Sequence, residues 1–349
     1  MEVVSIVNFG IVGCGFIAGK HVKALEQIAN ARLVAACDSD QKRLISFTEK
    51  YDISTYENYD EFLKDPEVEA VIICTPSGSH AAMGEKAAHA GKHILMEKPF
   101  VLDLNQGKNL VELCKSKEVK LGVVHPNRVK PVVRALSEAV NGGWFGKITH
   151  TSAVLRWNRT PEYFNSTAWR GTRELDGGIL FNQAIHNIDL LNWLLGPVDE
   201  VFAYGATQLH NIEYEDVCVC TLKLKSGALG MIEAAITLYP ENLEESIAVF
   251  GSQGTAVLGG KSISRIQEWK FSKFSEAEAK IQAEQLNNES DPAGHKEVIE
   301  DFIKAITRNQ EPLVSGEEAM KVLYLIKAIY QSIKTNQPVK ITTDWRVNI

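Results

Sequence analysis

The sequence predicts an α/β chain of two domains, a parallel sheet wrapped by helices and then an α+β domain with a large, mostly antiparallel, open-faced sheet. Three observations lead to this fold class. The 349 residues exceed what one ordinary hydrophobic core accommodates. Short apolar runs alternate with helical patterns over residues 1–125. Over residues 126–349 the predicted strands lengthen and follow one another, with helices grouped beside them.

In the first domain, each short apolar run is followed by turn residues or by a helical pattern. The strands are predicted over 8–12, 32–37, 70–74, 93–96 and 121–124. The continuous apolar run at 70–74 is typical of a strand buried on both faces. Helices are predicted from the glycine turn to about 29, and over 41–51, 80–90 and 105–117.

In the second domain, helices are predicted over 130–141, 182–195, 295–307 and 317–334. Strands are predicted over 147–157, 201–209, 217–225, 228–238 and 247–250. Ser226-Gly227 is a two-residue hairpin signal between two of these strands. Gly196-Pro197 marks the end of the 182–195 helix.

Both faces of the predicted antiparallel sheet are largely apolar. Val217 and Val219 lie on one face, whereas Cys218, Cys220 and Leu222 lie on the other. Helices of the same chain can cover one face, and a second subunit is the economical cover for the other. We therefore expect a homo-oligomer, either a dimer or a tetramer.

Composition excludes several classes of function. Lys plus Arg number 37 against 44 Asp plus Glu, a net charge of −7 with no basic run, so we expect neither nucleic-acid nor membrane-surface binding. No segment approaches the ~18 apolar residues of a membrane span, and the start lacks the basic region of a signal peptide. The six cysteines contain no Cys-x-x-Cys, which favours reduced thiols in a cytoplasmic protein. His186 and Asp189 have no third ligand at suitable spacing, so no metal is expected.

A dinucleotide fingerprint follows the first strand. It reads Gly13-Cys14-Gly15-Phe16-Ile17-Ala18 and opens a helix, the context that the fingerprint requires. Gly13 permits the tight turn, Gly15 lets the backbone approach a pyrophosphate, and Ala18 is small enough for close helix packing. The helix N-terminus then presents N–H groups to the phosphates. A simple glycine turn is the alternative interpretation.

The second strand ends in Asp38, near the spacing expected for a carboxylate that binds the adenine ribose hydroxyls. The next residues are Ser39 and Asp40, with no arginine to neutralise a 2′-phosphate. The pattern therefore predicts NAD rather than NADP, with a flavin or a vestigial pocket as the alternatives.

Two more segments follow strands of the same sheet. The first runs from Thr75 through Pro76 and Ser77 to His80, and the second is Glu97-Lys98-Pro99. We expect the named residues to line the cofactor crevice, because ligands bind at the carboxyl ends of parallel strands. Pro99 restricts the backbone of Lys98. Lys98 is a catalytic candidate, with an ordinary solvated lysine as the alternative.

Together these motifs resemble the glucose-fructose oxidoreductase/inositol dehydrogenase family (Gfo/Idh/MocA) over essentially the whole chain. The resemblance implies a Rossmann NAD-binding domain over 1–125 and a substrate-binding and oligomerisation domain over 126–349, which carries a catalytic histidine, His186. Residues 169–189 are similar to the branch that oxidises C3 of UDP-N-acetylglucosaminuronic acid (UDP-GlcNAcA) for bacterial surface polysaccharides. In some relatives 2-oxoglutarate reoxidises bound NADH. Inositol and free-sugar dehydrogenases share much of the segment, and a non-catalytic NAD-binding regulator is a further alternative.

The chain departs from the family at one position. Many members have Asp four residues before the histidine, where this chain has Asn182. A continuous helix would place Asn182 and His186 on one face, but an amide cannot accept a proton at neutral pH. The general base is then His186, with Lys98 binding the same oxygen, or Lys98 itself.

Arginines and aromatic residues cluster between 156 and 173. Guanidinium groups bind carboxylates and pyrophosphates at two points, and aromatic rings can stack on a uracil. A subunit-contact loop has the same composition and is the alternative. The predicted substrate-binding residues are Arg156, Arg159, Tyr163, Trp169, Arg170, Thr172, Asn182, Gln183 and His186.

Overall fold

The computed structural model describes residues 5–288 and 294–341. The strands are β1 Val7–Val12, β2 Ala31–Cys37, β3 Ser54–Tyr56, β4 Ala70–Ile73, β5 His93–Met96, β6 Leu121–Val123, β7 Ile148–Arg156, β8 Val198–Ala206, β9 Val217–Leu224, β10 Leu229–Ala235, β11 Glu244–Gly251, β12 Gly254–Gly259, β13 Arg265–Phe271 and β14 Val339–Lys340. The helices are α1 Phe16–Leu25, α2 Gln41–Thr48, α3 Tyr59–Leu63, α4 His80–His89, α5 Leu104–Ser116, α6 Pro131–Asn141, α7 Pro161–Asn165, α8 Ile179–Asn182, α9 Ile185–Leu195, α10 Glu276–Asn288, α11 His295–Thr307 and α12 Gly316–Thr335. None of these described helices is long and apolar enough to cross a membrane.

The chain divides into two compact units, and the division differs from the predicted boundary between 125 and 126. The first unit ends at Pro126 but regains residues 294–320, which the sequence analysis assigned to the second domain. The reason is the apolar face of α11, where Val298, Ile299 and Phe302 are buried and the helix packs against α1. The rest of the described chain forms the second unit.

The first unit contains the predicted parallel sheet. Its strand order is β3-β2-β1-β4-β5-β6, and every neighbouring pair is parallel. Phe9, Ile72 and Ile94 are fully buried in it, as expected for strands covered on both faces. Sequence reasoning missed β3 and α3, because elements of three and five residues are too short to show a clear period.

The second unit contains an eight-stranded sheet in the order β13-β12-β11-β7-β10-β9-β8-β14. Only β7 and β10 pair in parallel, so the predicted, mostly antiparallel sheet is confirmed. Helix α9 packs against β7 and β11, and α6 packs against α9. β12, β13 and α10 were not predicted. β8 ends at Ala206, before the predicted 209, because the Asp216 carboxylate accepts the N–H groups of Gln208 and Leu209 and turns the chain.

The predicted helix over 182–195 is wrong as a single helix. The structure has two helices, α8 and α9, separated by Gln183 and Ala184. The break is a widened turn, since the Ala184 N–H reaches back five residues to the carbonyl of Ile179, at 2.8 Å. Helix α9 then restarts from the Ala184 carbonyl, which accepts the N–H groups of Asn187 and Ile188. Asn182 and His186 therefore do not share one helical face.

One face of the second sheet is apolar and exposed where β8, β9 and β10 lie side by side. Cys218 and Cys220 are buried, whereas Val219 on the opposite face is 44% exposed and Met231 is 37% exposed. Tyr204 lies opposite Val219 in the register and is also exposed. An apolar patch across three neighbouring strands is typical of a protein interface.

We propose that a second copy of the chain covers this patch. The protein should then sediment at a multiple of its 38.7 kDa protomer mass. Met231→Asp should weaken the assembly by at least about tenfold, ~1.4 kcal/mol, because it buries a charge at the contact. Ile281→Asp on the exposed surface of α10 is the control and should leave the mass unchanged. A wild-type protein that sediments as a monomer at micromolar concentration would contradict the proposal.

Candidate active site

The turn after β1 has the geometry of a pyrophosphate cradle. Gly13 has φ +88°, and a Cβ atom there would lie 2.8 Å from the backbone of Cys74. At Gly15 nothing lies within 4 Å of the Cβ position, so the backbone is open to a ligand. Helix α1 starts at the next residue and directs its first N–H groups toward the same turn. Ala18 is fully buried, and Phe16 is exposed beside the turn.

Asp38 is fixed at the end of β2 by the turns around it. Its Oδ2 accepts the Cys14 N–H at 2.8 Å, and its Oδ1 accepts the Asp40 N–H at 2.9 Å. Each carboxylate oxygen has a further lone pair for a ribose hydroxyl. An arginine that the sequence analysis overlooked, Arg43, places Nη1 3.6 Å from Asp38 and Nε 3.5 Å from Asp40. Two carboxylates beside one guanidinium leave this corner negative, which disfavours a 2′-phosphate.

Residues 75–80 form a short turn after β4, in which His80 holds the backbone together. Its Nδ1 lies 2.7 Å from the Pro99 carbonyl and its Nε2 lies 2.9 Å from the Thr75 carbonyl. Burial lowers the pKa of His80, and the two carbonyls act in the opposite direction. Because both ring nitrogens contact the protein, His80 joins the 75–80 turn to the 97–99 turn instead of offering a nitrogen to the cofactor. Pro76 and the buried Ser77 lie in the same turn.

The Glu97 side chain faces the interior of the first unit, contrary to the expectation that it contacts the cofactor. Its Oε1 lies 2.8 Å from His21 Nε2, and its Oε2 accepts the backbone N–H of Lys98 at 3.1 Å. Burial alone would raise the pKa of Glu97, but the hydrogen bond from His21 and the neighbouring His21, His295 and Lys98 lower it to about 2. Lys98 is half-buried and follows directly from this anchored carboxylate.

Arg156 differs from the other arginines of the predicted substrate set. Its guanidinium makes a two-point pair with Glu233, at 2.8 and 2.6 Å, and a third bond to Glu244 at 2.8 Å. The three residues lie on β7, β10 and β11. Two carboxylates already balance the charge of Arg156, so the structure argues against its predicted role in binding an anionic substrate.

Arg159 and Arg170 flank the ring of Tyr163 and have no carboxylate partner among the described residues. Their Cζ atoms lie 5.0 and 4.0 Å from the ring centroid. Their hydrogen-bond acceptors are neutral, including Gln183 Oε1 at 2.8 Å for Arg159 and Ser166 Oγ at 2.9 Å for Arg170. Both Nε atoms are buried without a hydrogen-bond partner. This pair of guanidinium groups is therefore a positive site that an anionic ligand would complete.

Aromatic residues surround these guanidinium groups, including Trp169 of the predicted set and Trp157, which was not in that set. Trp157 stacks on Arg159 at 4.6 Å, and Trp169 lies 5.6 Å from Arg170. Burial lowers the pKa of the Arg159 guanidinium, and the like charge of Arg170 acts in the same direction. The Thr172 hydroxyl donates a hydrogen bond to the Trp169 carbonyl at 2.7 Å. This bond closes the turn that contains Arg170.

Asp176 lies within the 169–189 segment, where sequence reasoning assigned it no role. It is fully buried and accepts hydrogen bonds from the Asn182 amide, the Tyr214 hydroxyl and the Gly171 N–H. The amide nitrogen of Asn182 therefore points to Asp176, which orients its carbonyl oxygen. In the sequence near Asp176, only the two glycines that follow it indicate a special backbone turn. Its partner Tyr214 is too distant in sequence to reveal that the carboxylate is buried.

His186 lies in the first turn of α9, a helix that two buried contacts hold in place. Arg128 donates to Asp189 at 2.8 and 2.6 Å, and both side chains are buried. Asn187 donates to the Val154 carbonyl of β7 at 3.0 Å. Asn187 follows His186 directly and Asp189 lies about one helical turn after it, so both contacts hold the part of α9 that carries His186.

The parallel sheet with its cradle and acidic ribose site, joined to a sheet-rich unit with a histidine-bearing helix, defines an NAD-dependent oxidoreductase. Residues 7–125 match the oxidoreductase family with an NAD-binding Rossmann fold (Gfo/Idh/MocA), and residues 137–341 match the C-terminal alpha/beta domain of that family. The chain belongs to the Gfo/Idh/MocA family, and it is an NAD-dependent sugar dehydrogenase.

Three relatives illustrate the range of the family. The WlbA dehydrogenase from Bordetella pertussis, solved in complex with NADH and UDP-GlcNAcA, is 34% identical with a TM-score of 0.92, over 97% of this chain and 98% of that chain. The Chromobacterium violaceum WlbA, solved with the same two ligands, is also 34% identical with a TM-score of 0.91, over 99% of this chain and 100% of that chain. The myo-inositol 2-dehydrogenase from Thermotoga maritima is 28% identical over 96% of this chain and 98% of its own.

The contacts of Asp38 generate a test of the cofactor site. Asp38→Ala should raise the Kd for NADH by ~10- to 100-fold, because a hydrogen bond to a charged group contributes ~1.5–3 kcal/mol. The Kd for NADPH should change less, since the carboxylate also repels a 2′-phosphate. Both constants can be measured by nicotinamide fluorescence, with Asp60→Ala on the exposed helix α3 as the control. An unaltered ratio of the two constants would remove Asp38 from cofactor discrimination.

Proposed function

We propose that the protein oxidises the C3 hydroxyl of UDP-GlcNAcA to the 3-keto sugar, with NAD as the hydride acceptor. The observation that carries the proposal is the pair Arg159 and Arg170, two half-buried guanidinium groups whose hydrogen-bond acceptors among the described residues are all neutral. A substrate with negative charge would balance them.

A neutral polyol and a sugar nucleotide make different demands on such a site. A polyol would leave two adjacent positive charges without a counter-ion, which is unfavourable in a partly desolvated place. UDP-GlcNAcA carries a diphosphate and a carboxylate, which guanidinium groups bind at two points, and a uracil that can stack on aromatic rings. The 34% identical WlbA dehydrogenases, solved with this sugar nucleotide, support the same choice.

The chain's own residues then handle the proton of the reacting hydroxyl. His186 accepts it, since an imidazole is suited to act as a general base at neutral pH. Lys98 donates a hydrogen bond to the same oxygen and stabilises its developing negative charge. The amide of Asn182 binds a sugar hydroxyl but takes no proton. NAD, when bound in the Gly13–Gly15 cradle, supplies the hydride acceptor.

The second candidate is oxidation of inositol or a free sugar. It is favoured by the Thermotoga maritima myo-inositol 2-dehydrogenase, which matches 96% of this chain. We place it second because Arg159 and Arg170 would then lack an anionic partner. For the first candidate, the 3-keto product would pass to an aminotransferase in the synthesis of a surface-polysaccharide sugar.

Reduced-nicotinamide absorbance tests the proposal directly. The protein is mixed with UDP-GlcNAcA or with myo-inositol, each with and without added NAD. We expect absorbance to rise with the sugar nucleotide and to stay flat with inositol; the reverse result would transfer the assignment to the second candidate. Adding 2-oxoglutarate afterwards shows whether this keto acid reoxidises the NADH. Silence with both compounds would contradict both candidates and would direct the search to other free sugars.

The arginine pair provides a second test with an internal control. Arg159→Ala and Arg170→Ala should each raise the KM for UDP-GlcNAcA by ~10- to 100-fold, the cost of one charge-assisted contact. The Kd for NADH should stay within about twofold. Arg156→Ala removes a guanidinium that Glu233 and Glu244 already neutralise, so its KM should remain near wild type. Equal effects of all three substitutions would contradict the assignment of the anion site.

A further inference from the structure

Two histidines converge on the buried Glu97 carboxylate of the first unit. His21 Nε2 lies 2.8 Å and His295 Nε2 lies 3.9 Å from the same oxygen, Glu97 Oε1. The two imidazole rings meet edge to face, with centroids 5.0 Å apart. All three side chains are buried. They come from α1, the end of β5 and the start of α11, so three distant parts of the chain meet at one carboxylate.

The second oxygen of that carboxylate acts on the adjacent residue. Glu97 Oε2 accepts the backbone N–H of Lys98, the residue to which the proposed function gives the hydrogen bond to the reacting oxygen. The backbone position of Lys98 therefore depends on where the carboxylate is held. His21 lies on the helix that begins at the Gly13–Gly15 cradle, so the cofactor turn and Lys98 are attached to one anchor.

Burying these three polar side chains is unfavourable for the stability of the fold. A buried carboxylate and two buried imidazoles must be desolvated, and apolar residues of similar size would serve the core at lower cost. His21 Nδ1 has no hydrogen-bond partner within residues 5–288 and 294–341, which adds to the desolvation penalty. Groups of this kind concentrate at functional sites.

A metal ion is a weaker explanation for the same three residues, which are close enough together to be considered as ligands. The 2.8 Å contact between His21 Nε2 and Glu97 Oε1 has the length of a hydrogen bond, so no ion is needed to explain why these two atoms lie together.

We propose that His21 and His295 are positioning residues for Lys98: they hold the Glu97 carboxylate in place, and the carboxylate holds the lysine backbone. The inference rests on the role proposed for Lys98. It assigns two histidines to the reaction without requiring either to touch the substrate.

A double-mutant cycle tests the inference in the full-length protein, with whichever substrate reduces NAD. Lys98→Met should lower kcat by orders of magnitude. His21→Leu should lower kcat by ~10- to 100-fold, the scale expected for a misplaced catalytic group, while the Kd for NADH stays within about threefold. The double variant should be no slower than Lys98→Met alone, because His21 acts through the lysine. Multiplying losses would mean that His21 acts on general stability, and would overturn the inference.

Two further measurements separate positioning from folding. His21→Gln keeps a donor within reach of Glu97 and should recover most of kcat, whereas His21→Asn, with a shorter amide, should not. Hydrogen–deuterium exchange at the Lys98 amide should be faster in His21→Leu and His21→Asn and near wild type in His21→Gln. This measurement needs no substrate, so it remains decisive if the proposed sugar is wrong or if one variant folds poorly.

Three further results would contradict the inference, and they are distinguishable from one another. Unchanged Lys98 exchange in both variants would show that the anchor does not hold the lysine backbone. Wild-type turnover in Lys98→Met would remove the lysine from the reaction, which is a failure of the proposed function. One equivalent of zinc in the purified protein, lost in His21→Asn, would establish a metal site instead.

Discussion

The contact between the turn after β1 and the chain leaving β4 constrains the rest of the first unit. No side chain fits at Gly13, because the backbone of Cys74 occupies the space. The same turn is bonded to β2 through the Gly13 N–H and the Cys37 carbonyl, at 2.8 Å, and to Asp38 through the Cys14 N–H. The carboxyl ends of three strands are thereby tied to one point. The open backbone at Gly15, the ribose carboxylate and the first turn of α1 all follow from it.

In the second unit, the proposed substrate preference rests on how charge is distributed among similar residues. Arg156, Arg159 and Arg170 lie within fifteen positions of one another in the sequence. The structure gives Arg156 two carboxylates and gives the other two only neutral acceptors. One relative is named for inositol, a neutral polyol, and two were solved with an anionic sugar nucleotide, so our proposal of a charged substrate rests on the unbalanced pair of guanidinium groups.

The parallel sheet could be predicted closely, because its short apolar runs are bounded by strong turn signals; β1, β2, β4, β5 and β6 match their predictions to within one residue. What the sequence could not reveal depends on tertiary contacts. The apolar pattern continues through Gln183 and Ala184, so nothing local marks the break between α8 and α9. The sequence of α11 shows that one face is apolar but not which unit that face packs against. The carboxylates that pair with Arg156 lie 77 and 88 residues away in the sequence. Glu97 looked like a cofactor ligand because its partners, His21 and His295, are distant in sequence.

The central claim is that hydride leaves C3 of an anionic sugar nucleotide, and an isotope experiment tests it most directly. UDP-GlcNAcA carrying deuterium at C3 alone is converted in a single turnover, and the nicotinamide is analysed by mass spectrometry. The account predicts that the NADH gains one deuterium and that its formation is slower than with unlabelled sugar. NADH without deuterium would show that the hydride comes from another carbon. No NADH from this sugar, together with rapid formation from inositol, would contradict the assignment of an anionic substrate.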